Sequence, residues 1–376
     1  MKKTPSALAL VLTGALLLSL TACSSSGSSS ETTAGTAESE SAAAAMETEE
    51  TSQADTESTE SEAADAEGDT AETVSITLCL DWTPNTNHTG IYVAEALGYY
   101  EEAGLDVTIV QPPEDGALQT CASGQAQFAI SSQDLMAQAL DLDEPLPLTA
   151  VAAILQHNSS GLITRAEDNI TTASAMEGFT YATWNDATEL AILEYLVETD
   201  GGNFDNVTLI PNNISDEAAA LTAHQADIIW VYEGWSVVNA DLEGLDYNFM
   251  RLRDLDEVFD YYSPLLIAND DFLESNPEAA KAFIAATKKG YEYAVENVEE
   301  SAQMLIDGDT TGSLNDSTDL VYASQEILSQ EYVDDAESWG VIDLERWDTF
   351  YSWLYENGLI ENEMASGTGF SADYLE

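Results

Sequence analysis

From residue 74 onward, strand-length apolar runs alternate with stretches whose apolar residues recur every three to four positions. The pattern opens at 78–110, LCLDWTPNTNHTGIYVAEALGYYEEAGLDVTIV. Apolar runs at 74–80 and 105–110 have strand length. Between them Ile91, Ala94, Leu97 and Tyr100 keep helical spacing, with Gly98 and Gly104 as punctuation. The segment predicts strand, loop, helix, strand, a βαβ unit that opens a parallel sheet. Its loop, 81–89, follows the carboxyl end of the first strand, where open α/β sheets bind ligands.

The same alternation predicts the rest. Residues 116–122 form a helix stopped by Gly124; Phe128, Ala129 and Ile130 form a short buried strand; 134–140 form the next helix, and 148–155 a strand. Each strand ends in a polar loop without a basic residue: 81–89, then Ser131 to Gln133, then Gln156 to Ser160. Residues 161–164 read as extended. A second series of strands and helices begins at Phe179, with strands at 179–182, 207–210, 227–232 and 249–252 and helices at 187–199 and 218–223. Residues 264–268 are again extended. The tail is helical: Asn276, Pro277 and Glu278 make a favourable helix start, and Phe283, Ile284, Thr287, Tyr291 and Ala294 line one face. Trp347, Phe350, Trp353 and Leu354 repeat that pattern and read as core.

The amino-terminal end departs from this pattern. Lys2 and Lys3, an apolar run at 7–20 and small residues beyond it read as a secretory signal, too short to span a membrane with proper flanks. Leu20-Thr21-Ala22-Cys23 looks like a bacterial lipobox, which implies cleavage before Cys23 and lipidation of its thiol; an ordinary signal peptide with a chance cysteine is the alternative. Residues 24–73 contain no aromatic and no basic residue, cannot bury a core and read as a disordered tether, about 40 Å end to end as a flexible coil.

Charge narrows the range of partners. The chain has 70 acidic residues against 9 basic ones. With 14 of the acids in the tether and Lys2 and Lys3 in the signal, the remainder holds 56 acids against 7 bases. Nucleic acid is excluded as a partner, because phosphate contacts require clustered Lys and Arg. The field repels anionic ligands and favours neutral or cationic ones. A salty habitat or plain solubility is an equally good origin for the bias. Cys79 and Cys121 leave both a disulfide and two buried thiols open, and no cysteine–histidine spacing suits a metal.

Three groups on strand-end loops can carry recognition: Asp81, Trp82, Asn85 and His88; Trp184 and Asp186; Tyr232, Glu233 and Trp235. Ser132, His157 and Tyr262 join them from neighbouring loops. Aromatic faces sandwich flat rings, and a carboxylate beside a ring accepts from an amine or a protonated ring nitrogen. Each residue also has a plain structural reading. Trp82 would cover the sheet end, His88 would make a structural hydrogen bond, and Asp186 would cap the helix at 187–199.

The run LDWTPNTNHTGIYVAEALGYYEEAGLDV, with WVYEGW (230–235), YYSPLLIAND (261–270) and ENGLI (356–360), resembles ABC-importer substrate-binding proteins of the thiamine-pyrimidine-precursor and sulfonate–nitrate–taurine superfamily, relatives of thiamine pyrimidine synthases. The resemblance covers roughly residues 74–360. It implies an α/β fold of the periplasmic-binding-protein-like type II: two lobes, each a mixed, mostly parallel sheet flanked by helices, joined by crossing segments near 161–164 and 264–268. The expected organisation is a signal peptide at 1–22, a lipidated Cys23 and acidic tether at 23–73, lobe I at 74–162 plus 269–376, and lobe II at 163–268. The resemblance makes Glu233 the carboxylate that reads an aminopyrimidine edge, with Asn85, His88 and Tyr262 as further lining positions. It implies an extracytoplasmic, lipid-anchored monomer without cofactor that hands a thiamine pyrimidine precursor to the permease and ATPase subunits of an importer. Flavins such as riboflavin, other nitrogen compounds and sulfonates are alternative ligands. Ala182 to Asp186 lacks the Gly-Ser or Gly-Thr loop of anion-binding relatives, and a carboxylate at that helix start opposes an anion. A synthase is the alternative of a different class. The stretch 4–280 has no lysine for a Schiff base and no cysteine-rich iron motif, so the expectation is a carrier and not an enzyme.

Overall fold

The alternating pattern produces ten strands, β1 (Val74–Cys79), β2 (Leu105–Val110), β3 (Phe128–Ser131), β4 (Leu148–Ala153), β5 (Ser160–Arg165), β6 (Thr180–Thr183), β7 (Thr208–Pro211), β8 (Ile228–Tyr232), β9 (Tyr247–Arg251) and β10 (Leu265–Asn269), in a computed structural model that describes residues 73–375. The expected signal, Cys23 and the tether lie outside the described residues, apart from Thr73. The strands form two five-stranded sheets, ordered β2-β1-β3-β10-β4 and β7-β6-β8-β5-β9. In the first, β1 runs parallel to β2 and β3, and β10 runs antiparallel to β3 and β4. In the second, β6 runs parallel to β7 and β8, and β5 runs antiparallel to β8 and β9. The mixed, mostly parallel sheets of a type II binding protein are therefore present. All described helices are too short or too polar to cross a membrane.

The two reversed strands, β5 and β10, are the ones laid down immediately after the chain changes sheet. The sequence places crossings at 161–164 and 264–268. The structure instead makes both stretches strands, buried along their length. The chain passes between sheets just before them, at 154–159 and 252–264. The expected lobe boundaries at 162/163 and 268/269 thus fall inside β5 and β10. A buried run of four or five apolar residues is equally compatible with an extended linker and a central strand, and only its ladder partners decide.

Helices cover the sheets. Helix Pro277–Glu296 starts on Pro277, as its sequence predicts. It lays Phe283 on Phe128, ring centroids 4.2 Å apart, and on Tyr100 at 5.2 Å. Its Gly290 abuts Gly90 of helix Thr89–Ala96 so closely that an added Cβ would stand 1.9 Å from the Gly90 carbonyl oxygen. Helix Leu344–Glu356 bridges the sheets. Its Trp353 meets Phe259 at 5.0 Å and Tyr195 of helix Ala187–Thr199 at 5.6 Å, both edge-on. One apolar cluster accordingly runs from Ala129 and Leu265 in the first sheet to Leu162 and Trp230 in the second. Cys79 and Cys121 are both buried and unpaired, which selects the thiol reading over the disulfide.

Candidate functional site

The strand directions point the carboxyl ends of β1, β3 and β4 one way, and those of β6, β8 and β9 together, so the polar loops gather at one end of each sheet. After β1, Asn85 caps the short turn Thr86–His88 by accepting from the Asn87 N–H at 2.9 Å. The Asn85 N–H donates to His88 Nδ1 at 3.3 Å. His88 Nε2 therefore carries the ring proton and donates to Asp81 Oδ1 at 2.8 Å. His88 is fully buried and both ring nitrogens are committed. It shapes the loop and holds Asp81, whose side chain stays 37% accessible. Trp82, next to Asp81, is 69% exposed.

After β6, Asn185 sits in the left-handed region at φ 62°. Its N–H donates to Thr183 Oγ1 at 2.7 Å. Asp186 caps helix Ala187–Thr199, Oδ1 accepting from the N–H groups of Thr188 and Glu189 at 2.9 and 3.0 Å. Glu189 is buried and accepts from the Tyr181 hydroxyl at 2.6 Å and the Thr183 hydroxyl at 2.9 Å, anchoring the loop from below. This network leaves Trp184 outside, 51% exposed and edge-on to Trp230 at 6.4 Å.

After β8, Tyr232 is 42% exposed, yet burial is the main cause that raises its hydroxyl, followed by the charges of Asp134 and Asp81. Asp134 stands in the first turn of helix Gln133–Leu140. Burial pushes its carboxyl up, opposed by hydrogen bonds from Ser132 and from its own N–H, and the charge of Asp186 on the other lobe adds to the rise. Tyr261 completes the group; burial raises its hydroxyl, and then the charges of Asp134 and Asp186 do. The lobes touch beside this group, where Gln138 Nε2 lies 3.4 Å from Thr188 Oγ1. They touch again where Ser324 of helix Thr318–Glu331 donates to the Gly234 carbonyl oxygen.

Among the sequence candidates, Ser132 and Asp186 act on Asp134, Asp81 acts on Tyr232, and Trp184 stands on the loop that ends in Asp186. The remaining sequence candidates have other partners. Glu233 receives one edge of the Arg251 guanidinium, Nε donating to Oε2 at 2.6 Å and Nη2 to Oε1. The base comes from the end of β9, outside the three basic-free loops 81–89, 131–133 and 156–160. Trp235 packs on the apolar cluster of the first lobe. Tyr262 is buried; its hydroxyl accepts from the Asp343 N–H at 2.7 Å and its ring lies under Arg346 at 5.2 Å. His157 sits at the crossing, Nδ1 2.6 Å from Asp260 Oδ2. It borders a separate cavity of about 600 Å³ that Arg253, Asp334 and Arg346 also line.

Sequence reasoning missed Asp134, Tyr261, Ser131, Ser160 and Tyr351. Asp134 reads as an ordinary acid of a helix start. Ser131, Ser160 and Tyr351 are buried with hydroxyls that have no hydrogen-bond partner among the described residues. An unpaired buried hydroxyl costs free energy unless another group satisfies it. Chemically the cleft offers aromatic faces, carboxylates and hydroxyls, and its one nearby guanidinium is already paired. Such a set suits a flat ring bearing N–H donors and disfavours an anion. No group of His, Cys, Asp and Glu suited to a metal ion occurs among the described residues.

Comparison with known proteins agrees with this geometry. The sequence model of the family described as NMT1/THI5 like matches residues 85–301. A formylaminopyrimidine-binding protein of Halalkalibacterium halodurans is 28% identical over 309 residues, 82% of this chain and 92% of that protein. The 4-amino-5-hydroxymethyl-2-methylpyrimidine phosphate synthase THI13 of Saccharomyces cerevisiae is 23% identical over 258 residues, 62% of this chain and 71% of that enzyme. Among solved structures, the alkanesulfonate-binding protein SsuA of Xanthomonas axonopodis pv. citri superposes with a TM-score of 0.59 at 11% identity, over 80% of this chain and 99% of its own.

Proposed function

Because the chain belongs to the NMT1/THI5-like family, we propose that it is the substrate-binding component of an ABC importer, and that its ligand is an aminopyrimidine precursor of thiamine. The observation that carries this reading is the pairing of Trp184 and Tyr232, two accessible aromatic side chains, with the carboxyls of Asp134 and Asp186 in one cleft. A flat ring stacks on such faces at about 1–3 kcal/mol per contact. The carboxyls accept from its amino group. The formylaminopyrimidine-binding relative supports the ligand class. Superposition on an alkanesulfonate-binding protein at low identity speaks for the fold alone. A sulfonate would face Asp186 at the very helix start where an anion would have to sit. Flavins and other nitrogen compounds are the remaining alternatives.

The synthase relatives raise the enzyme reading. Lys281, Lys288 and Lys289 all lie on helix Pro277–Glu296 of the first lobe, Lys288 bonding Ser338 and Lys289 standing over Tyr99. A Schiff base in the cleft has no lysine to start from. The protein is accordingly a carrier. It acts outside the cytoplasm as a monomer, cleaved after residue 22, anchored through lipid on Cys23 and tethered by residues 24–73. Lobe I comprises the first sheet and lobe II the second, and the permease and ATPase subunits are the partners. Mass spectrometry of small molecules that co-purify with the protein, followed by a thermal-shift panel, tests the ligand. At 100 times its dissociation constant a ligand adds about 2.7 kcal/mol of stability. A sulfonate, and no pyrimidine, in the purified protein would overturn the reading.

A further inference from the structure

The carboxyl of Asp134 has no basic partner. It lies in the first turn of helix Gln133–Leu140, retaining only part of its solvent contact. The charge that acts on it is another carboxylate, Asp186, from the opposite lobe. The contact between Gln138 Nε2 and Thr188 Oγ1 shows how close these helix starts come: Gln138 is one turn beyond Asp134, and Thr188 two residues beyond Asp186. Around them stand the buried, unpartnered hydroxyls. Ser131 is 5% exposed and ends β3, three residues before Asp134; Ser160 is 1% exposed and pairs with Tyr232 across the β5–β8 ladder; Tyr351 is 3% exposed. Burial raises the Tyr351 hydroxyl, and the charge of Asp134 raises it further. The other groups facing Asp134 are Ser132, Tyr232 and Tyr261. All three tyrosines titrate above their ordinary range, so they stay neutral and bring no compensating charge. Arg251 is occupied by Glu233.

Two like charges held on opposite lobes need a positive charge or a proton between them before the lobes can settle together. We propose that Asp134, faced by Asp186, is the specificity-determining carboxyl of the cleft, and that it binds the amino-substituted edge of the heterocycle with uptake of one proton. The proton comes from solvent. It ends in the hydrogen bond between Asp134 and the ring nitrogen beside the amino group, and the amino N–H fills the second carboxyl oxygen. The pair titrates as a unit, so which atom carries the proton in the complex does not alter the count. The inference rests on the aminopyrimidine reading and moves its carboxylate from Glu233 to Asp134.

The test is calorimetry of the whole protein with 4-amino-5-hydroxymethyl-2-methylpyrimidine at pH 8, in two buffers of different ionisation enthalpy. Wild type is expected to take up close to one proton per ligand, and its affinity to fall about tenfold per pH unit between pH 8 and 9. Asp134→Asn is expected to abolish most of the uptake, flatten the pH profile and weaken binding at pH 8 at least tenfold. If that variant does not fold, the wild-type uptake and pH slope decide alone. Tight binding without proton uptake, or Asp134→Asn behaving as wild type, overturns the role of Asp134 and leaves the aminopyrimidine reading intact. Absence of heat and of any thermal shift with the pyrimidine overturns both.

Discussion

Arg251 grips both oxygens of Glu233 with the Nε–Nη2 edge of its guanidinium, joining the end of β9 to the turn after β8. A carboxylate engaged in this way has little left to offer a ligand. Glu233→Gln is therefore expected to cost the empty protein about 1 kcal/mol, a partly exposed pair being screened by solvent, and to lower Tm by roughly 2 °C. Its effect on pyrimidine affinity, read by calorimetry, stays within about threefold. A loss of a hundredfold would return Glu233 to the ligand.

Trp184 is held outward by the Glu189 network and leaves about half of its surface accessible in the empty protein. Trp184→Ala should remove a stacking face worth about 1–3 kcal/mol, roughly five- to 150-fold in Kd, while Tm of the ligand-free protein moves by less than about 2 °C. Tyr232→Ala is expected to act in the same direction. Equal Kd values for wild type and Trp184→Ala would remove the stacking face from the site.

His157 and Asp260 lie on the two segments that pass between the sheets, and their contact ties those segments together. The bond to Asp260 raises His157 above its ordinary value, against the opposing effect of burial. Burial alone would raise Asp260; the bonds from His157 and from the Asn158 N–H outweigh it and hold the carboxyl low. The raised histidine stabilises the fold fully below about pH 6.5, and that contribution is lost as pH rises through the folded value. The lowered carboxyl contributes above about pH 4 and loses its effect only as pH falls through its own depressed value. The gap in Tm between wild type and His157→Asn should thus be widest between about pH 5 and 6, corresponding to about 1–2 kcal/mol, and narrow toward pH 9. A gap independent of pH would show that the pair is not linked to protonation.

Gly290→Ala is expected to be the most damaging single-methyl change on helix Pro277–Glu296. Alanine normally strengthens a helix interior relative to glycine, but here its Cβ would enter the Gly90 carbonyl. Overpacking of this kind costs about 3 kcal/mol, so Tm should fall by several degrees in thermal unfolding. A neutral or raised Tm would mean that the two helices separate freely.

The local elements were legible from the chain. The period of its apolar residues marks helices and strands, and Asn276-Pro277 starts the long helix where its chemistry says it should. Asp186 shows how far such reading reaches: its capping role follows from the helix that begins at Ala187, yet its place facing Asp134 does not. Trp235, legible only as an aromatic on a strand-end loop, turns out to pack on the first lobe.

Periodicity records which side of an element is buried and says nothing of what lies across from it. By itself, then, the sequence determined the βαβ units, the acidic balance that disfavours anions and nucleic acid, and the lack of a lysine in the cleft. Only the tertiary structure decided that β5 and β10 are reversed strands, that Arg251 takes Glu233, and that the charge of Asp186 acts on Asp134 from the other lobe. The reason is physical: burial is written residue by residue along one element, whereas sheet order and the approach of the two lobes depend on ladder partners and charges contributed by segments far apart in the chain.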